Sequence, residues 1–135
     1  MRRSVLFGLS LSVSLTLAMG AQAAGDANAG KEVFKDCVAC HTVEAGKNKV
    51  GPSLHGVVGR KAGAVEGFRY SKPMQEKAAA GYTWTPENLK AYLSAPKEVV
   101  PGGTMAYAGL KNVPKHKDNA DKAADDVIAY LAEQK

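Results

Sequence analysis

Residues 42 to 69 carry Gly46, Gly51, Gly56, Gly59, Gly63 and Gly67, with Pro52 among them. Punctuation this dense leaves no strand of useful length. So long a stretch without regular structure is unusual in a compact domain, and something other than backbone ladders must organise it. A second loop, from Pro96 to Asn119, contains the turn Pro101-Gly102-Gly103-Thr104-Met105. Neither segment suits a sheet, so the ordered elements have to be helices.

The helical periods lie between and around these loops. Gly30, Val33, Phe34 and Cys37 recur at i, i+3, i+4 and i+7, with Asp26 placed to cap the helix. Ser71 starts a short helix that ends at Gly81. Thr85-Pro86-Glu87 is a helix start with proline at the first helical position, and Leu89, Tyr92 and Leu93 share a face before Pro96 stops the run. Ala124, Val127, Ile128 and Leu131 form the stripe of a last helix. The expectation is an all-α chain of three or four helices. Together they offer about a dozen large apolar side chains, a marginal core for a domain of this size. A large apolar cofactor at the centre accounts for both the thin core and the long loops.

The first residues read as a leader. Arg2 and Arg3 precede a mostly apolar run from Val5 to Met19, and Ala21-Gln22-Ala23 supplies small residues for cleavage. This is the layout of a secretory signal peptide over residues 1–23, too short and too interrupted for a good membrane span. One domain over 24–135 follows. Loss of the two arginines lowers the formal charge from +5 to +3. No basic run with interleaved aromatics points to nucleic acid. The expected location is the periplasm.

Cys37-Val38-Ala39-Cys40-His41 is a Cys-x-x-Cys-His pentapeptide, the attachment pattern for haem c. Two thiols at this spacing reach the two vinyl groups of one haem, and the histidine sits beneath the iron. A thioredoxin-like pair needs a strand–helix context that is missing before Cys37. Structural zinc needs four ligands, usually from two such pairs, and the chain has only two cysteines. For the second axial position the candidates are His55, His116, Met74 and Met105. Met74 lies in a short helix, where methionine usually fills core. His116 stands among Lys115, Lys117 and Asp118 and is expected to be solvated. His55 is only 14 residues beyond His41. Met105 follows a turn that can present a side chain inward, and its thioether suits low-spin iron, so Met105 is favoured.

Further motifs follow in order. They are Gly51-Pro52-Ser53-Leu54-His55-Gly56, Gly59-Arg60-Lys61-Ala62-Gly63, Gly67-Phe68-Arg69-Tyr70, Trp84, Tyr92-Leu93, the Met105 loop and Ala129-Tyr130-Leu131. With Gly30, Phe34 and the pentapeptide, nearly all of residues 24–135 resembles the class I cytochrome c family, of the soluble bacterial kind close to the mitochondrial type. The resemblance implies first and last helices packed together around one covalent haem. It implies that Cys37 and Cys40 attach the haem and that His41 and Met105 ligate its iron. Pro52 would accept a hydrogen bond from the His41 ring. Tyr70 and Trp84, with Arg60 nearby, would meet a haem propionate, and Tyr92 would approach the Met105 sulfur. Asn112 to Ala123 is longer than in the mitochondrial type and polar, and is expected to be a surface insertion with no chemistry.

The expected function is one-electron transport without catalysis, by a monomer. Partners would be redox proteins with acidic docking faces: a membrane cytochrome bc complex, an oxidase, a photosynthetic reaction centre or a dehydrogenase. Lys35, Lys47, Lys49, Lys97, Lys111, Lys115 and Lys117 would ring the haem edge and steer such encounters. The alternative is a haem-based sensor or enzyme for small ligands, in which Met105 is labile.

Overall fold

The computed structural model describes residues 24–135, so the leader expected over 1–23 lies outside the described residues. Among the described residues five α-helices follow one another: α1 (Ala27–Phe34), α2 (Lys72–Ala79), α3 (Pro86–Ser94), α4 (Pro96–Val99) and α5 (Ala120–Ala132). A 3-10 turn over Lys117–Asn119 leads into α5. Among the described residues there is no β-strand longer than a single bridge, Lys61 with Thr83, and no helix is long and apolar enough to cross a membrane.

The expected helix starts are present. The Asp26 carboxylate accepts from the backbone N–H of Asn28 at 2.8 Å and of Ala29 at 3.3 Å. Ser71 and Thr85 cap α2 and α3 in the same way, satisfying N–H groups that have no partner within the helix. Pro96 does end α3, but it also opens α4, because a proline at a first helical position loses no hydrogen bond. The second loop is therefore shorter than its glycines and prolines suggest.

The first and last helices make the most extensive helix contact. Gly30 faces α5 with no room for a side chain: a Cβ there would lie 1.9 Å from the Asp126 carbonyl oxygen. The backbones thus approach closely, and the Phe34 and Tyr130 rings meet at a 45° tilt, 5.3 Å between centroids. The buried Asp126 carboxylate ties the start of α1 to α5. Its Oδ1 accepts from the Asp26 N–H at 2.9 Å, and Lys122 sits 2.6 Å from its Oδ2. Burial pushes this carboxyl up, but Lys122 and the Asp26 N–H outweigh it and hold it below its ordinary value.

The glycine-rich stretch is ordered by short backbone pairings. Gly59 N–H donates to Trp84, Trp84 N–H to Arg60, and Ala62 N–H to Tyr82, each at 2.8 Å. These bonds lay residues 59–62 along 82–84. At the C-terminus, the Gly56 N–H donates to the Gln134 carbonyl at 2.6 Å.

The insertion read as a featureless surface segment is corrected in part. Ala120 and Ala123 are buried with Leu110 and Ala124 in a second small core. His116, expected to be solvated, is only 8 % exposed. Its lysine neighbours point outward while its ring turns in toward α1, which the local sequence does not reveal.

Candidate functional site

The helical turn continuing from α1 sets the pentapeptide. Cys37 N–H donates to the Phe34 carbonyl at 2.8 Å, and His41 N–H donates to the Cys37 carbonyl at 2.8 Å. Cys37 is half-buried and Cys40 exposed, both unpaired. Burial pushes the Cys37 thiol up to about 11. A thiol so weakly acidic is a poor redox nucleophile at neutral pH, which disfavours disulfide exchange.

His41 is held on two sides. Its Nδ1 donates to the Pro52 carbonyl at 2.7 Å, which leaves Nε2 available. Gly51 lies flat against the ring, where a Cβ would fall 2.3 Å from Cε1. The Gly51 N–H donates to the Cys40 carbonyl at 2.8 Å, and Lys49 Nζ reaches the Val38 carbonyl, so this loop is stitched to the pentapeptide. Burial lowers the His41 pKa more than the bond to Pro52 raises it, and the ring is neutral at pH 7. A neutral, oriented imidazole is the form that binds a metal.

Both cysteines and His41 line one largely apolar cavity. Met105 lines the same cavity, its sulfur 3.7 Å from the Tyr92 hydroxyl. Burial pushes Tyr92 up to about 12, so it stays protonated and donates to the sulfur. The loop reaches this position because Gly109 adopts φ +99° and sits with no side chain over the Ser94 carbonyl. From there Leu110 N–H donates to Leu93 at 2.9 Å.

Arg60, Tyr70 and Trp84 line the same cavity. The Tyr70 hydroxyl accepts from the Val65 N–H at 3.1 Å, and Arg60 Nη1 donates to the His55 carbonyl at 2.8 Å. Arg60 Nε is buried with no partner. Burial lowers the Arg60 pKa, although the guanidinium stays charged. A buried cationic donor left free beside an apolar cavity suits a large apolar group that carries an anionic substituent, and the residues present fit a haem and its propionates.

Met74, on α2, is buried in the main core and also lines this cavity, whereas the two histidines are engaged elsewhere. His55 Nδ1 bonds the Val43 carbonyl at 3.1 Å, and His116 Nε2 bonds Asp36 Oδ2 at 2.8 Å.

Sequence reasoning missed Asp36 and Tyr107, which also line the cavity. The Tyr107 hydroxyl is buried without a partner, and burial pushes it up to about 12. Its position two residues after Met105 was the one available signal. Asp36 meets partners some 80 residues away, which no local pattern discloses.

The lysines expected to ring the haem edge are not alike. Lys35 pairs with Glu32 at 2.6 Å, Lys47 with Glu44 at 3.1 Å and Lys115 with Asp36 at 3.1 Å. Lys49 and Lys97 instead bind the neutral carbonyls of Val38 and Gly103 and keep their charge uncompensated. Val50, 79 % exposed, stands at the cavity mouth beside Lys49.

The family model described as Cytochrome c matches residues 27–135. Cytochrome c2 iso-2 of Magnetospirillum fulvum is 55% identical over 98 residues, covering 73% of this chain and 91% of that protein. Cytochrome c-550 of Ancylobacter novellus is 50% identical over 103 residues, covering 76% and 89%. Among solved structures, cytochrome cH from Methylobacterium extorquens superimposes with a TM-score of 0.68 at 42% identity, covering 81% of this chain and 99% of that one. The helical fold, the Cys-x-x-Cys-His turn and these likenesses together place the chain in the cytochrome c family, as a haem c protein of electron transport.

Proposed function

We propose that this protein is a soluble periplasmic one-electron carrier whose haem is held by Cys37 and Cys40 and whose iron is held by His41 and Met105. When bound, the haem supplies a ferric/ferrous couple. The observation that carries the reading is the pair of oriented side chains on one cavity: His41 tied to Pro52 and Met105 tied to Tyr92. Each candidate ligand is fixed by a second residue before any metal arrives, which keeps rearrangement small when the charge changes. A thioether ligand and an apolar wall both favour the lower-charged state, so the potential is positive. Arg60, with Tyr70 and Trp84 beside it, supplies the charge and polar groups that a buried carboxylate needs. Electrons leave at the exposed rim near Val50, where Lys49 and Lys97 attract an acidic partner. Redox complexes of this kind bury small interfaces, which suits a monomer that must release each partner quickly. The donor and acceptor belong to the classes named above: a cytochrome bc complex, an oxidase, a reaction centre or a dehydrogenase.

The decisive experiment is the visible spectrum of the exported protein, oxidised and reduced, with and without carbon monoxide. The expected result is a c-type reduced spectrum, a methionine-to-iron band in the oxidised form and no change with the gas. A gas-induced shift overturns the closed site in favour of a small-ligand sensor or enzyme with a labile Met105. The mass of the same sample tests export: the mature chain should begin after Ala23, and an intact leader would refute periplasmic release.

A further inference from the structure

The segment that carries Met105 does not end at the cavity. Leu110 and Lys111 anchor it to the end of α3, through bonds to Leu93 and Ser94. It then runs through turns in which Asn112 and Val113 donate to Gly109, and His116 and Lys117 donate to Val113. From these turns the buried His116 ring returns to the pentapeptide side of the molecule. Its Nε2 donates to Asp36 Oδ2 at 2.8 Å, and Lys115 Nζ meets Asp36 Oδ1 at 3.1 Å. Asp36 directly precedes Cys37. Tyr107 lines the cavity close to Asp36 and Cys37 and also packs against the Leu110 core. The cavity-lining Asp36 is therefore joined, by a side-chain bond spanning 80 residues of sequence, to the segment that continues from Met105 and Tyr107.

The carboxylate is well suited to this use. Burial pushes Asp36 up, but the hydrogen bonds from His116 and Lys115 hold it below its ordinary value. It is thus an ionised acceptor at neutral pH, and a bond to a charged acceptor is stronger than one between neutral groups. Lys115 is exposed and its pair contributes little. The enclosed His116 bond is the one that matters.

We propose that the Asp36–His116 bond is a latch that holds the Met105–Tyr107 segment against the Cys37 side of the cavity, making His116 a positioning residue that governs how readily an outside ligand displaces Met105. The second half of this proposal rests on Met105 being an iron ligand. With the latch open, the turns from Asn112 to Lys117 come free, and Tyr107 is held toward Asp36 and Cys37 only through the Leu110 anchor.

The test uses the holoprotein and free imidazole as the displacing ligand. His116→Phe fills the site without donating, and Asp36→Ala removes the acceptor. His116→Gln keeps a donor and serves as the rescue. Asp126→Asn weakens the distant α1–α5 contact and controls for general instability. His116→Phe and Asp36→Ala are expected to bind imidazole about tenfold more tightly, as loss of one charge-assisted hydrogen bond allows. His116→Gln and Asp126→Asn should match the wild type. Trypsin should cut the two latch-free variants faster after Lys111. Should His116→Phe fail to fold, Asp36→Ala decides alone. Wild-type imidazole affinity in the latch-free variants overturns the proposal, as does an equal gain in Asp126→Asn. A wild type without the methionine-to-iron band refutes the ligation reading instead. The tryptic rates then decide the latch by themselves: faster cleavage upholds it, unchanged cleavage overturns it.

Discussion

Gly30 on α1 and Asp126 on α5 meet backbone to backbone, with the Asp126 carbonyl oxygen 1.9 Å from where a Cβ on Gly30 would stand. A flexible side chain could yield to an added methyl; a helical carbonyl cannot without moving its helix. Gly30→Ala is therefore expected to force α1 off α5 and to cost about 3 kcal/mol, the upper part of the range for overpacking. Denaturant unfolding of the holoprotein measures it. A loss below about 0.5 kcal/mol would mean that the two helices separate freely.

The Asp126 carboxylate ties Lys122 and the Asp26 N–H to the same point. Its folded pKa lies below the ordinary 3.8. A depressed carboxyl contributes its stability in full above the unfolded value, and the contribution drains away as pH falls through the folded one. Stability attributable to this residue should thus be level above about pH 5 and decline below about pH 4. Asp126→Asn should lower the plateau by about 1.5–3 kcal/mol and flatten the acid limb. Unfolding curves at a series of pH values separate the two effects, and an unchanged acid limb would assign the acid sensitivity to other groups.

Tyr92 donates its hydroxyl hydrogen to the Met105 sulfur at 3.7 Å. With Met105 on the iron, as proposed, that bond would draw density from the sulfur and make it a poorer donor to ferric iron. Tyr92→Phe should therefore lower the reduction potential and leave the fold intact, because the ring still fills its place against Trp84. Potentiometric titration reads the change. Tyr82→Phe, which alters a hydroxyl not bonded to Met105, is the comparison and should leave the potential in place.

Electron transfer to hexacyanoferrate, a small anion, should slow as salt is added, since the steering charges are exposed. Lys97→Gln is expected to flatten that dependence more than Lys35→Gln. The Lys97 charge meets only the Gly103 carbonyl, whereas Glu32 already offsets Lys35. Stopped-flow rates over a range of ionic strength give both slopes. Equal slopes would show that local pairing does not sort the lysines.

What could be read from the residues alone follows the range of the interactions. Asp26, Ser71 and Thr85 act within four residues of themselves, so the helix starts were legible. The stripe from Ala124 to Leu131 is a one-dimensional record of a buried face, and all four of its residues are buried. The bond from His41 to Pro52 spans 11 residues and was reachable only through a family likeness. His116 shows the limit. Its sequence neighbours are charged and the segment is polar, yet burial is decided by Asp36, far away in the chain. Gly51 was noticed as a turn former, whereas its place beneath the His41 ring depends on how two loops meet.

The pairing of α1 with α5 joins the beginning and the end of the described chain, and it orders events in time. A polypeptide made or threaded from its N-terminus delivers α5 after α1 and the Cys37–Cys40 turn. Until then α1 has no partner, and the thiols of Cys37 and Cys40 stand on an unclosed segment of chain. The α1–α5 contact therefore closes only after the Cys37–Cys40 turn has emerged, so the two thiols precede the packing that half-buries Cys37.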